Sequence, residues 1–447
     1  MSSNLAIAES PTPVISGAQS DTTAAPPTIA NQPVLRPWLR AQALNVGRHA
    51  SALRDFRRDE FGTGPESPTE GHIQAVNQVL ARLRAPLLRR TRQLSELVRT
   101  ATESPESNRL MAVVTHKSQS HESVRRIERI WDFYLELFGQ RQSIFGSWLL
   151  GADRIALDCY QDAYMGLGTT KSVPAPPPFN YMRTGFGPAT YRRGIQLRQL
   201  GQELNPFPLI QLPYHRLVNP WTLGAILHEV SHNLQSDLGL SRVIPLSIAR
   251  HLLRGGVPRR VAGVWVRWNR EIFADLSGLL LGGPAVIASL MDVVGLTPRI
   301  VMNFNPDGVH PVPYLRVLLS CELLRRMGFP AEAERHSRAW MSIYSRSAAA
   351  LPKELLRTAG KCIELVVQAV CYQKFRTLGN RCMSQLYCCG QKEQRMIEEA
   401  ARRMSQGNDP GIVPERFLIG AARFAIDNRL ATADTIRENF YRELARR

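Results

Sequence analysis

The sequence predicts a mainly α-helical protein of the α+β class, with a small sheet in its central third. Three observations carry this. Apolar residues recur at helical spacing through long stretches on both sides of the centre, as in HIQAVNQVLARLRAPLLRRTRQLSELVRTA and again from Phe329 to the end. One short segment, FPLIQLPYHRLV at 207–218, is the best strand candidate in the chain. No repeat at a fixed period points to a solenoid or a propeller. With 447 residues, 44% of them apolar, the chain can bury a sizeable core and is long enough for more than one domain.

Taken in order, residues 1–34 (MSSNLAIAESPTPVISGAQSDTTAAPPTIANQPV) are dominated by Ser, Thr, Ala and Pro and hold no aromatic residue. A disordered tail is expected there, because such a stretch cannot bury enough surface to offset the entropy of ordering it. An N-terminal helical region follows over 35–170. Its clearest element is the segment quoted above, with Pro86 marking a kink or a break. ESVRRIERIWDFYLELFGQ and IFGSWLLGADRIALDCYQDAYMGLG read as a second helical pair. VPAPPPFNYMRTGFGPATYRRG is so punctuated by Gly and Pro that an irregular loop is expected. It opens a central region, 171–328, which contains 207–218, a candidate edge strand for pairing with an extended peptide. Residues 329–447 form a C-terminal helical region.

The charge balance is strongly basic: 56 Lys plus Arg against 38 acids, a formal +18. Such an excess attracts nucleic acid and anionic surfaces. The arginines are scattered among leucines at helical spacing, however, as on the solvated faces of ordinary helices. The longest apolar run, LSGLLLGGPAVIASLM, is shorter than the roughly 20 residues of a bilayer span and is interrupted by Gly282-Gly283-Pro284, so a buried segment is expected and no transmembrane one. No basic stretch leads into an unbroken apolar run at the start, so a cytoplasmic location is expected, with export by another kind of signal as the alternative. Seven cysteines lack the C-x-x-C spacing of a zinc ribbon, and free thiols are the expectation, Cys371, Cys382, Cys388 and Cys389 included.

The chemistry concentrates in HEVSHNLQSDL, from His228 to Leu238. Asn219-Pro220 provides a capping side chain and a first-turn proline for a helix there, and Gly239 closes it. Leu223, Ile226, Leu227, Val230 and Leu234 form one narrow apolar stripe. At about 100° per residue, His228 and His232 fall roughly 140 to 180° away from that stripe, with Glu229 beside them. The histidines therefore face away from the helix's own core contact, as a ligand pair must. Catalytic zinc takes three protein ligands and keeps a position open. A third histidine six residues after His232 is excluded, since Leu238 stands there. The next acids after Asp237 lie in WNREIFADLSGLL, where Glu271 and Asp275 share one helical face.

HEVSH followed by EIFAD resembles the gluzincin metallopeptidases, and among them the CAAX-prenyl-endopeptidase-like group, whose second helix reads E-x-x-A-D. DGVHPVPYLRVLL adds a His-Pro with a later Arg, matched by His310, Pro311 and Arg316. The resemblance covers about 218–328 and leaves both flanks aside; the group's flanking membrane spans have no counterpart here. It implies a zincin-like catalytic core with zinc held by His228, His232 and Glu271. It further implies that Asp275 orients a zinc histidine, and that His310 and Arg316 lie near the active site.

The function expected is that of a zinc metalloendopeptidase acting on proteins or peptides, with Glu229 as the base that activates the zinc-bound water. The first candidate to stabilise the oxyanion is His310 and the second Tyr314. Two alternatives come from other classes. One is a nucleic-acid-associated protease or a basic nucleic-acid-binding protein; the other is an inactive metalloprotease-like scaffold that binds a protein partner.

Overall fold

The computed structural model describes residues 33–168, 172–185 and 187–447. The tail expected at 1–34 falls almost wholly outside the described residues. The α-helices before the sheet are α1 (Leu35–Ala52), α2 (Glu70–Glu103), α3 (Ser107–Gly139) and α4 (Gly146–Gly166). The strands are β1 (Phe179–Arg183), β2 (Ala189–Tyr191) and β3 (Leu209–Pro213). Then come α5 (Tyr214–Val218), α6 (Gly224–Asp237), α7 (Val243–Arg254), α8 (Arg259–Arg267), α9 (Asn269–Gly282), α10 (Ala285–Val294), α11 (Pro298–Val301) and α12 (Pro313–Arg326). The C-terminal helices are α13 (Pro330–Tyr344), α14 (Lys353–Val367), α15 (Met383–Leu386), α16 (Gln391–Ser405), α17 (Phe417–Asp427) and α18 (Ala433–Arg446). The class is mainly α, with one three-stranded sheet among the described residues, as the periodicity predicts. No described helix is long and apolar enough to cross a membrane.

The chain divides into two compact units. One holds 33–52 of the described residues with Leu87–Ser123, and its core is Leu39, Val46, Leu94, Val98, Ala101 and Val113. The other holds Leu53–Pro86 and Val124–Arg447, with a continuous core that runs from Leu149 in α4 to Leu444 in α18. The stretches expected as separate central and C-terminal regions, 171–328 and 329–447, thus share this second core. Arg416, just before α17, shows how: its guanidinium lies 2.9 Å from Asp158 and 2.9 Å from Asp162, both in α4. It also donates to the carbonyl of Leu281 at the end of α9 at 3.1 Å.

Several sequence expectations change in the structure. Pro86 does not break α2, which continues on both sides of it; the missing N–H removes one hydrogen bond of a long ladder. The Gly/Pro-rich stretch expected as irregular contains β1 and β2. Their pairing is non-local: β1 runs parallel to β3, with Phe179 opposite Leu209, and β2 antiparallel, with Ala189 opposite Gln211. The order β1-β3-β2 makes β3 the central strand. Both of its edges are therefore occupied, and 207–218 cannot be the edge that receives a peptide. The second half of that segment is helical, as α5.

Buried polar groups fix the sheet's position. The Nε2 of His72 donates to the Pro177 carbonyl at 2.9 Å, and its ring packs against Phe179 and Phe207. Arg141 donates to the Asn180 carbonyl at 2.6 Å and lies 2.7 Å from Asp153. On the other side, the Asn233 amide of α6 donates to the Thr190 hydroxyl of β2 at 2.8 Å. That bond sets β2 beside the histidine-bearing helix.

Candidate metal centre and cleft

The helix α6 is built largely as its pattern implies. Leu223, Ile226, Leu227, Val230 and Leu234 are all fully buried, and Gly239 lies just past its end with φ of +70°, where a side chain would be strained. Its start differs from expectation. A short 3₁₀ turn, Pro220–Thr222, intervenes, and the Asn219 amide donates back to the His215 carbonyl at 2.8 Å in place of capping.

α9 runs antiparallel to α6. Gln235 donates to Asn269 at 3.4 Å at one end, while Gly278 meets Leu227 and His228 further along. A Cβ on Gly278 would lie 3.3 Å from the His228 nitrogen and 3.4 Å from the Leu227 carbonyl carbon, both backbone atoms. The two helices can approach this closely because nothing projects between them, and the approach carries Glu271 and Asp275 to the histidines.

Three donor atoms converge. The His228 and His232 Nε2 atoms are 3.1 Å apart, and Glu271 places Oε2 3.4 Å from the first and Oε1 3.4 Å from the second. Among the described residues this is the one such group of His, Cys, Asp and Glu. The separations can be tested against a tetrahedral ion: bonds of about 2.0 to 2.1 Å put neighbouring ligand atoms about 3.3 Å apart. The donor set fits zinc in identity, in number and in spacing.

The surroundings orient these donors. Asp275 accepts from His228 Nδ1 at 2.8 Å, which turns Nε2 toward the other two donors. Arg316 grips Asp275 through two bonds of 2.7 Å each and lies 3.7 Å from Glu271. It lines the same cavity as the histidines, with its donors directed at Asp275, so it acts as a positioning residue. Burial opposes a charge on His228, yet hydrogen bonds to Asp275 and Glu271 outweigh it and raise its pKa to about 10. His232 is pushed down to about 3 by burial and by the neighbouring His228 charge. Burial also opposes ionisation of Glu271, but its contacts with the histidines and Arg316 hold it well below the usual carboxylate range.

Glu229 is buried, and its carboxylate lines the same cavity without a hydrogen-bond partner among the described residues. Burial, opposed by the nearby His228 charge, lifts its pKa to about 7. His310 reaches the cavity from the loop before α12; its side chain is 72% exposed and its Nε2 lies 3.7 Å from Glu271. Tyr314 is not among the residues that line the cavity. Its ring is buried in the core and its carbonyl accepts from the Trp340 indole at 3.2 Å, so the second oxyanion candidate is not brought to the site.

The cavity measures about 620 Å³ and follows α6 along its length. Gly224 and Ala225 meet an apolar wall from α10 at one end, formed by Val286, Ile287, Leu290 and Val293. Gln235 meets Arg192, Arg267 and Arg270 at the other. Ala189 and Thr190 of β2 form one side; β2 pairs only with β3 among the described residues, so its second edge is free. None of these lining groups was singled out from the sequence. Arg270 had a signal, standing directly before Glu271; Arg192 and β2 had none, because only non-local packing brings them here.

All seven cysteines are free and all but Cys388 are buried, with no second metal-type cluster among the described residues. Compared with known protein families, with curated proteins and with solved structures, the chain matches none.

Proposed function

We propose that the protein is a zinc-dependent endopeptidase of the gluzincin kind, with a zincin-like core. The observation that carries this is the convergence of His228, His232 and Glu271 at 3.1 to 3.4 Å on the wall of a cleft that also holds the buried, unpartnered Glu229. When bound, zinc would acidify a water molecule and polarise the scissile carbonyl. His228, His232 and Glu271 would hold it, with Asp275 and Arg316 keeping His228 in its ligating orientation. Glu229, poised near neutrality, would take the proton from water and pass it to the leaving amine. His310, in the mouth of the cleft, is suited to donate to the developing oxyanion. The free edge of β2 offers main-chain groups to an extended substrate, the role that 207–218 cannot fill. The inactive-scaffold alternative gives no reason for a buried carboxylate aimed into the cleft.

Purified protein is expected to carry one zinc per chain by elemental analysis, lost in His228→Ala/His232→Ala. The Glu229→Gln variant should retain zinc and fold while its peptidase activity falls by orders of magnitude. Comparable turnover by this variant, or a wild type well below half a zinc per chain, would overturn the proposal.

A further inference from the structure

The two ends of the cleft differ chemically. From the level of the histidines, each end lies about 8 to 9 Å away along α6, at 1.5 Å per residue. An extended chain covers that distance in two or three residues. The apolar end needs no special account. The other end gathers Arg192 from the segment after β2, Arg267 from the end of α8 and Arg270 from the first turn of α9.

Elsewhere, arginines on outer helices commonly face acids one turn away, as Arg99 faces Glu96 and Glu103, or Arg338 faces Glu334. At this end of the cleft no such partner is present. Arg267 donates to the Pro306 carbonyl, while the Arg192 and Arg270 side chains make no hydrogen bond or ion pair among the described residues. Asp237 accepts from the Tyr160 hydroxyl at 2.8 Å and makes no hydrogen bond with either arginine. Burial and the charge of Arg270 act against the Arg192 guanidinium and lower its pKa, with Asp237 offsetting only part of this. An anion placed between the two would relieve both.

We infer that Arg192 and Arg270 form a subsite for a carboxylate of the substrate, so that the cleft takes acidic peptides with the acid two or three residues from the bond that is cut. This rests on the peptidase proposal. The carboxylate can come from a Glu or Asp side chain or from the peptide's own C-terminus, and the same two guanidinium groups would hold either.

The test uses fluorescein-labelled ten-residue peptides of alanine with one central leucine, bound to full-length zinc-loaded Glu229→Gln protein so that nothing is cleaved. A single Glu or Gln is walked along the peptide, in amidated and free-acid series. One Glu register is expected to bind about 10-fold more tightly than its Gln counterpart, as for a charged hydrogen bond. Preference within the amidated series identifies a side-chain carboxylate; preference only for free acids of one length identifies the terminus. Either should vanish in Arg192→Gln/Arg270→Gln, and Arg192→Glu should shift the preference toward a Lys-bearing peptide. Equal binding of all peptides, or a preference that persists in the double variant, would overturn the inference. So would a single-stranded oligonucleotide that binds more tightly through the same arginines. The peptidase proposal fails separately: cleavage by wild type without acid preference leaves it standing and removes the subsite, whereas acid preference without cleavage does the reverse.

Discussion

At the scale of single residues, Glu271 and Asp275 occupy one face of α9 but do different work. Glu271 turns both oxygens toward the histidine Nε2 atoms, whereas Asp275 is held between His228 Nδ1 and Arg316. Removing a group that orients a ligand typically weakens metal binding by about 10 to 100 fold, and removing a ligand does more. Asp275→Asn is therefore expected to bind zinc more weakly and Glu271→Ala to be nearly zinc-free, as ranked by competition with a chelator. The opposite ranking would make Asp275 the ligand. A second residue-scale prediction concerns His72. Burial lowers its folded-state pKa to about 4 from an unfolded value of 6.5. The depressed group contributes stability that is present above pH 6.5 and is lost as pH falls toward 4, about 3 kcal/mol in all. Urea titrations at pH 7 and pH 4 should show a larger loss for wild type than for His72→Gln, and equal losses would rule His72 out as the source.

At the scale of elements, the site depends on how closely α9 lies against α6. The space that Gly278 leaves beside the Leu227 and His228 backbone cannot be enlarged by a rotamer change, because backbone atoms border it. Gly278→Val should push the helices apart and separate Glu271 from the histidines. The expected result is a folded protein by circular dichroism with zinc affinity lowered at least 10-fold, since a misplaced ligand costs at least as much as a lost orienting partner. Unchanged zinc affinity would show that the contact is not what positions Glu271. Gly283 marks a second boundary: with φ of +70° it ends α9 and lets α10 turn back as the apolar wall of the cleft. The apolar run read as buried is divided between α9 and α10.

At the scale of the whole molecule, the C-terminal helices are part of the body that supports the site. Arg416 sits almost buried between Asp158 and Asp162 while holding the end of α9. Arg416→Met would leave those carboxylates without their cation, at a cost of about 3 kcal/mol or more by denaturant titration. Adding Asp158→Asn should recover part of the loss, and a single substitution without effect would show the cluster to be unimportant. For the same reason a fragment of residues 171–328 alone is expected not to fold cooperatively. It would expose the faces of α9 and α10 that α17 covers and the face of α6 that α4 covers. A sharp thermal transition for that fragment would count against a shared core.

The sequence by itself determined what depends on short spacing. Apolar residues at helical intervals specify the helices, and His228, Glu229 and His232 share a face of α6 because four residues make about one turn. The same regularity put Glu271 and Asp275 on one face of α9. Only the tertiary structure decided what depends on contacts distant in sequence. β1 and β2 form where the local sequence is rich in Gly and Pro because β3 supplies their hydrogen bonds. β3 is central and β2 is the free edge for the same reason. Tyr314 turns into the core and Arg316 toward Asp275, although both stand on the same turn of α12 as each other's neighbours but one. Periodicity fixes which residues share a face, but the direction in which that face looks is set by packing against the rest of the chain.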